Sequence, residues 1–528
     1  MCGAGRLAGK SFGEIGWMKK SRTEYSVRNT TVAVIARICA ILAGFITRIV
    51  FTHMIRQEYV GVNSLFADIL NALAFSESGI DTAVSFALYI PVAKGDKERQ
   101  KSLMHLFRNF CRIVALFLLL GGLLMIPAID ILTKDYSKNY DLIFVYLLYL
   151  MNCTASYLMV YKKILIEAHQ LGYINMIYQM GFLVFQNILQ MMVLLYTKNF
   201  LLFVSVMSLC TVLNNIAVSK KADKLYPYLK DKNVQKIPKG EKNKIYRNIY
   251  SMLLHKLGMV SINNTDNILL FILVGIISNS IYSNYYLIIG SIRQILNQIF
   301  RGIIASVGNL GAQENREYIR KIYEASFFGG QWIFGLSAIC IFEVIDTFIE
   351  LCFGRNYIFS EQVTLVLCLN FYFTGMRQAT LVFHESLGIF VYDRYKSIAE
   401  VFVNLAASIL LGRYFGALGV FLGTLTSMIA ISLWIEPYVL YKHYMKASYW
   451  PFFLRYNLYI LVTLLMWYGE NLLCRHVSGC LGAICVKRLG ICVIITNLIY
   501  LFLYYKTDEF RLLFDKGKML LKRCKELH

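Results

Sequence analysis

Residues 29–52 read NTTVAVIARICAILAGFITRIVFT. As an α-helix this run would extend about 36 Å, enough to cross a hydrocarbon core of about 30 Å. Its composition is that of a spanning helix, yet it holds Arg37 and Arg48. The two are 11 residues apart, about three turns, so they share a face on which Ala40 and Gly44 leave room beside them. Each of the two cations either lines a cavity or, as Arg48 is placed to do, snorkels to the outer interface.

Similar runs recur along the chain. Spans are predicted at 29–52, 61–91, 110–133, 140–161, 173–197, 200–219, 248–274, 278–307, 323–351, 361–384, 391–412, 416–440, 450–472 and 483–505. Hydrophobic residues make up 57% of the 528 and charged residues only 16%. A soluble chain carries about 25% charged residues, and mean hydropathy here is +0.53. Several links are too short to form a domain, so neighbouring spans form antiparallel hairpins. The reading is an all-α polytopic membrane protein with about 14 transmembrane helices.

The basic residues give this reading an orientation. Of 54 Lys and Arg, 39 fall on the side of the N-terminus, 9 on the other side and 6 within spans. This bias predicts an even number of spans with both termini cytoplasmic. It also accounts for the net charge of +22 without nucleic acid as a partner. Residues 1–27 are polar and basic with no apolar centre, so no cleavable signal is expected.

The longest polar interruption, 220–247, carries ten basic residues from Lys220 to Arg247. It separates a six-helix bundle at 28–219 from a second at 248–445, with an extra helix pair at 446–505. Two bundles with the same orientation would enclose a central cavity. The tail, 506–528, mixes apolar and basic residues and is expected to lie as an amphipathic helix on anionic membrane lipids. Most of the 13 cysteines fall inside apolar runs and act as small hydrophobes. Cys474 and Cys480 share a short loop and could pair on an oxidising side.

A charge near mid-membrane costs about 2.5–3.5 kcal/mol on insertion scales, so such residues face a cavity or a partner. Besides Arg37 and Arg48, the cations of this kind are Lys256, Arg293, Arg301 and Arg377. Arginine binds phosphate oxygens in pairs, and a phosphate-bearing substrate is the expectation. Glu77 and Asp81 lie one turn apart in Phe75-Ser76-Glu77-Ser78-Gly79-Ile80-Asp81. They balance the cations or form a gate, with the structural role favoured. Asp266 belongs to a polar stripe with Asn263 and Asn267, while Glu400 and Asn404 share a face with Ser397. Asn370, Thr374, Arg377 and His384 share another, and the two faces either line a wet space or pair with each other. Gly419, Gly423 and Ser427 recur every fourth residue, a close-packing signal.

Several stretches are similar in order and spacing to motifs of the Wzx-type polysaccharide flippases of the MOP exporter superfamily. They are Glu77-Ser78-Gly79-Ile80, Asp266-Asn267, Tyr282-Ser283-Asn284-Tyr285, Ser306-Val307-Gly308-Asn309-Leu310, Asp393-Arg394-Tyr395-Lys396 with Glu400 and Asn404, and Trp434-Ile435-Glu436-Pro437. The resemblance runs from about residue 26 to 505. It implies transport of an undecaprenyl-diphosphate oligosaccharide across a bacterial cytoplasmic membrane, alongside polysaccharide polymerase and assembly proteins. It implies no covalent chemistry and no cofactor beyond a coupling Na+ or H+. On this basis Arg37, Arg48, Arg293, Lys256, Arg301 and Arg377 serve the diphosphate, and Asp266, Glu400 and Asn404 a coupling ion.

Two rival readings remain at this stage. A MATE-like exporter of cationic drugs would need an acidic cavity, which six cations within spans oppose. A membrane-integral polymerase or glycosyltransferase would need a long outer loop with catalytic residues, and the outer links are short. No GxxxxGK[ST] stretch is present for ATP.

Overall fold

The computed structural model describes residues 22–73, 84, 87–133, 141–169, 171–231, scattered positions of 234–246, 266–313, 316–387, 389, 392, 395–515 and 518. Side chains are described from residue 38 onward, apart from those at 71–73, 130–133, 141, 299 and 301–313. Helix is the only regular structure among these residues. In chain order the helices are α1 (Arg22–Met54), α2 (Gln57–Leu73), α3 (Lys97–Leu124), α4 (Ile126–Thr133), α5 (Asp141–Ala168), α6 (Gly172–Thr197) and α7 (Phe200–Leu225). They continue with α8 (Ile276–Gln313), α9 (Arg316–Phe353), α10 (Glu361–Leu387), α11 (Lys396–Phe415), α12 (Ala417–Met445), α13 (Trp450–Cys474) and α14 (Leu481–Tyr504). Eight of the described helices are long and apolar enough to cross a membrane by length and composition. The protein is an all-helical, polytopic membrane protein.

Each predicted span coincides with helix among the described residues, the second and seventh only in part. The boundaries differ most on the basic side. There α3 starts at Lys97 rather than 110, capped by Asp96, whose side chain accepts from the Arg99 amide at 2.9 Å. A helix does not stop where hydrocarbon stops, so its first turns continue into the polar region.

Contacts gather the chain into two units. The first comprises Met1–Thr47, Ser76–Ile126 and Ile143–Leu253. Its core joins Leu103, Met104 and Phe107 of α3 to Ile164 and Leu165 of α5 and Val218 and Ala222 of α7. At the linker end of this unit, Gln100 donates to the Pro91 carbonyl at 3.1 Å and accepts from His169 at 3.2 Å and from Tyr228. The His169 ring stacks on Tyr226. The linker is thereby tied to the helix ends it follows.

The second unit comprises Arg48–Phe75, Pro127–Leu142 and Leu254–His528. The C-terminal end of α1 and all of α2 therefore pack with the C-terminal half. Gly61 of α2 meets the Ile276 carbonyl, and its own carbonyl accepts from Asn279 at 3.1 Å. The Gly419/Gly423 stripe makes the close packing expected of it. A Cβ at Gly423 would collide with the Ser408 backbone on α11, and one at Gly419 with the Leu411 carbonyl. The last helix pair packs on α9 through Gln331, which donates to Thr463 and Tyr500, each at 3.0 Å.

At the start of the tail Phe510 stacks on Trp332, Leu513 lies against Gly329, and Glu509 pairs with Arg455. The rest of the tail beyond 518 lies outside the described residues. Cys474 and Cys480 are both free thiols, the first buried and the second exposed.

Within α12, Pro437 supplies no amide to the helix. Wider π-type turns at Met428–Ser432 and Leu440–Met445 bracket it and place Glu436 in the interior. Such turns absorb a break in the hydrogen-bond ladder.

Replacing Gly423 by Val should lower the melting temperature of the detergent-purified protein by several degrees, since overpacking costs about 1–3 kcal/mol. Gly469→Ala, where nothing lies within 4 Å of the added carbon, should leave it unchanged. Thermal unfolding followed by size-exclusion fluorescence reads both.

Candidate functional site

Three helices of the second unit bring four charges together. Arg377 of α10 donates to Glu400 of α11 at 2.9 Å and to both oxygens of Glu436 of α12, at 2.6 and 3.1 Å. Lys396, at the start of α11, pairs with the same Glu436 carboxylate. Glu400 and Glu436 are each 1% exposed. His384 adds a contact from its ring to the Glu436 carbonyl at 2.9 Å. Two cations and two anions leave the cluster neutral, and each carboxylate is held by directed N–H donors. A buried pair of this kind is costly to break from one side, by about 3–5 kcal/mol.

Arg377 was expected to serve a substrate and Glu400 a coupling ion; in the structure the two are paired with each other. The sequence faces of α10 and α11 were compatible with pairing, and pairing is what occurs. Glu436 and Lys396 received no charge role from the sequence. The available signal was an acidic residue beside a proline inside an apolar run.

A second polar chain runs from Asp266 to Asn404. Thr424 of α12 donates to Asp266 at 2.8 Å and accepts from Asn404 of α11 at 3.0 Å. The neighbouring Asn267 donates to Asp68 of α2 at 2.5 Å. Tyr282 of α8 lies within electrostatic reach of Asp266, Asp68 and Arg293. The structure therefore joins two of the three coupling-ion candidates through Thr424. It adds Asp68, which sequence reasoning passed over because it stands alone in an apolar stretch. Among the described residues, both carboxylates take their hydrogen bonds from neutral side chains.

Arg48 is held by α8. Its Nε donates to Asn284 at 2.8 Å and its Nη2 to Ser283, within the quoted Tyr282–Tyr285 motif. Phe51 lies beneath its guanidinium at 5.8 Å. Arg293 is half-buried and sits over the Tyr286 ring at 5.9 Å. Arg37 and Arg301 stand on α1 and α8 as expected, but their side chains lie outside the described residues, as do Lys256, Glu77 and Asp81 altogether.

Arg108 and Arg112 of α3 are both exposed and lie one turn apart.

The sequence matches no known family profile and no curated protein. Solved structures do match the fold. A structure of the lipid II flippase MurJ in an inward closed conformation superposes with a TM-score of 0.65 at 12% identity, over 91% of this chain and 99% of that one. An inward-facing multidrug resistance MATE family transporter of the MOP superfamily gives 0.55 at 14%, over 77% and 98%. A MATE transporter from Vibrio cholerae gives 0.51 at 13%, over 81% and 99%. The chain has a MOP-like fold, and these structural neighbours are transporters and a flippase rather than enzymes.

The charge cluster makes a specific prediction. Arg377→Gln should strongly destabilise the protein because it leaves one buried carboxylate uncompensated. Adding Glu400→Gln should restore part of the lost stability by restoring neutrality. Melting temperatures of both single variants and the double variant test this coupling, and simple additivity of the two losses would contradict it.

Proposed function

We propose that this protein moves an undecaprenyl-diphosphate-linked oligosaccharide across a bacterial cytoplasmic membrane for surface polysaccharide assembly. The observation that carries the proposal is the extent of the likeness to the flippase. It spans 91% of this chain at a TM-score of 0.65, against 77% at 0.55 for the first MATE transporter. The cations of the spans supply the matching chemistry. A diphosphate-sugar head cannot cross hydrocarbon unaided, because an unpaired charge there costs many kcal/mol. Arg37, Arg48, Arg293, Lys256 and Arg301 are the residues assigned to it. Arg377 is left out because Glu400 and Glu436 already neutralise it.

In this reading Glu77 and Asp81 balance charge on the second span. The Asp266–Thr424–Asn404 chain, with Asp68 and Asn267 beside it, is the coupling site for H+ or Na+. Its carboxylates have neutral donors as hydrogen-bond partners, which leaves their charge available to a small cation. Glu400 stays structural. No bond is made or broken. The 39 basic residues counted on one side support placing both termini in the cytoplasm.

Arg37→Ala and Arg293→Ala should each slow translocation of the lipid-linked oligosaccharide in spheroplasts by about tenfold or more, since a hydrogen bond to a charged group contributes about 1.5–3 kcal/mol. Unchanged translocation in both variants would remove the diphosphate clamp. Asp266→Asn should abolish the response to an imposed ion gradient while leaving lipid binding intact.

A further inference from the structure

The first unit carries four basic residues on one stripe of α3. Lys101, His105, Arg108 and Arg112 follow i, i+4, i+7 and i+11, about 16 Å of helix. An adjoining stripe, through Leu103, Phe107, Cys111 and Ala115, is buried, as is Lys101 itself. The basic stripe is therefore fixed in orientation.

The cations of this region fall into two groups. Lys101 is neutralised by Glu98 at 3.0 Å and by Asp231 of the linker at 2.9 Å. Lys162 of α5 is neutralised by Asp223 at 2.8 Å and held by Ser219 at 2.7 Å. Arg108 and Arg112 form no ion pair among the described residues, and both are exposed. The Tyr161 ring, from α5, lies within electrostatic reach of both. Asp223 is also near that ring, but it is already engaged by Lys162.

Depth in the membrane sharpens this. From Ile113 to its end at Leu124, α3 carries no charge, a run of about 18 Å. Arg112 is the first residue outside it, and Arg108 lies one turn further, about 6 Å. Entry of α3 into hydrocarbon at Ile113 would set both at the level of lipid phosphates. Two uncompensated guanidinium groups one turn apart match the two phosphoryl groups of a diphosphate in charge and reach. A phosphodiester lipid, with a single negative charge, would leave one of them unsatisfied. Arginine rather than lysine favours paired contacts to phosphate oxygens.

We propose that Arg108 and Arg112 form a docking site for the diphosphate of a polyprenyl lipid in the leaflet at the linker side. It uses none of the cations assigned above. It rests on the proposed lipid-diphosphate substrate and names where that substrate is first held.

The test uses the full-length protein in nanodiscs titrated with undecaprenyl diphosphate carrying no sugar. Arg108→Gln with Arg112→Gln should weaken binding at least tenfold with an unchanged melting temperature. Lysine at both positions should retain part of the affinity. Phosphatidylglycerol and inorganic pyrophosphate should compete poorly. Wild-type affinity in the glutamine variant, or equal competition by either competitor, would overturn the site. If the wild-type protein binds undecaprenyl diphosphate and the glutamine variant binds equally, only the docking site falls. If the wild-type protein binds none, the substrate assignment falls with it.

Discussion

A charge carried into hydrocarbon must be neutralised, hydrated or given a ligand, and the placement of charge in this protein follows from that constraint. The apolar spans are the easy part of the design. Each cation set among them requires an explanation, and the structure supplies different ones. Arg377 and Lys396 are neutralised by Glu400 and Glu436. Arg48 is held by Asn284 and Ser283. Arg293 lies over an aromatic face. At the linker end of the first unit, Lys101 and Lys162 have carboxylates, while among the described residues Arg108 and Arg112 do not.

Those differences separate structural charge from charge available for work. The α10–α11–α12 cluster holds three helices in register at a place where Pro437 weakens one of them. It is neutral and buried, so it suits a fixed support better than a binding surface. The Asp266–Thr424–Asn404 chain differs in kind. Its carboxylate is served by a hydroxyl, and a small cation or proton could join it without breaking an ion pair.

Much of the fold was legible in the sequence because hydrocarbon imposes a length and a composition that no other solvent does. The spans, the glycine stripe at Gly419 and Gly423, and the continuous helix bearing Arg37 and Arg48 all followed from periodicity and size. The partners of individual charges did not follow. A helical face is readable from spacing, but which neighbouring helix meets it depends on tertiary packing. Arg377 and Glu400 were therefore assigned separate tasks although they bind each other. Asp68 and Glu436 were passed over because a single acidic residue in an apolar run has no pattern. The start of α3 at Lys97 rather than 110 was missed because the end of an apolar run was taken for the end of a helix.

The central claim is that the protein transfers an anionic lipid head between leaflets. Its most direct test is reconstitution of the purified protein in liposomes containing a fluorescent undecaprenyl-diphosphate oligosaccharide, with a membrane-impermeant quencher added outside. Protein-dependent transfer, read as a quenched fraction that grows with time, is the expected result. An unchanged quenched fraction in proteoliposomes that export a cationic drug would contradict the claim and favour the MATE-like reading.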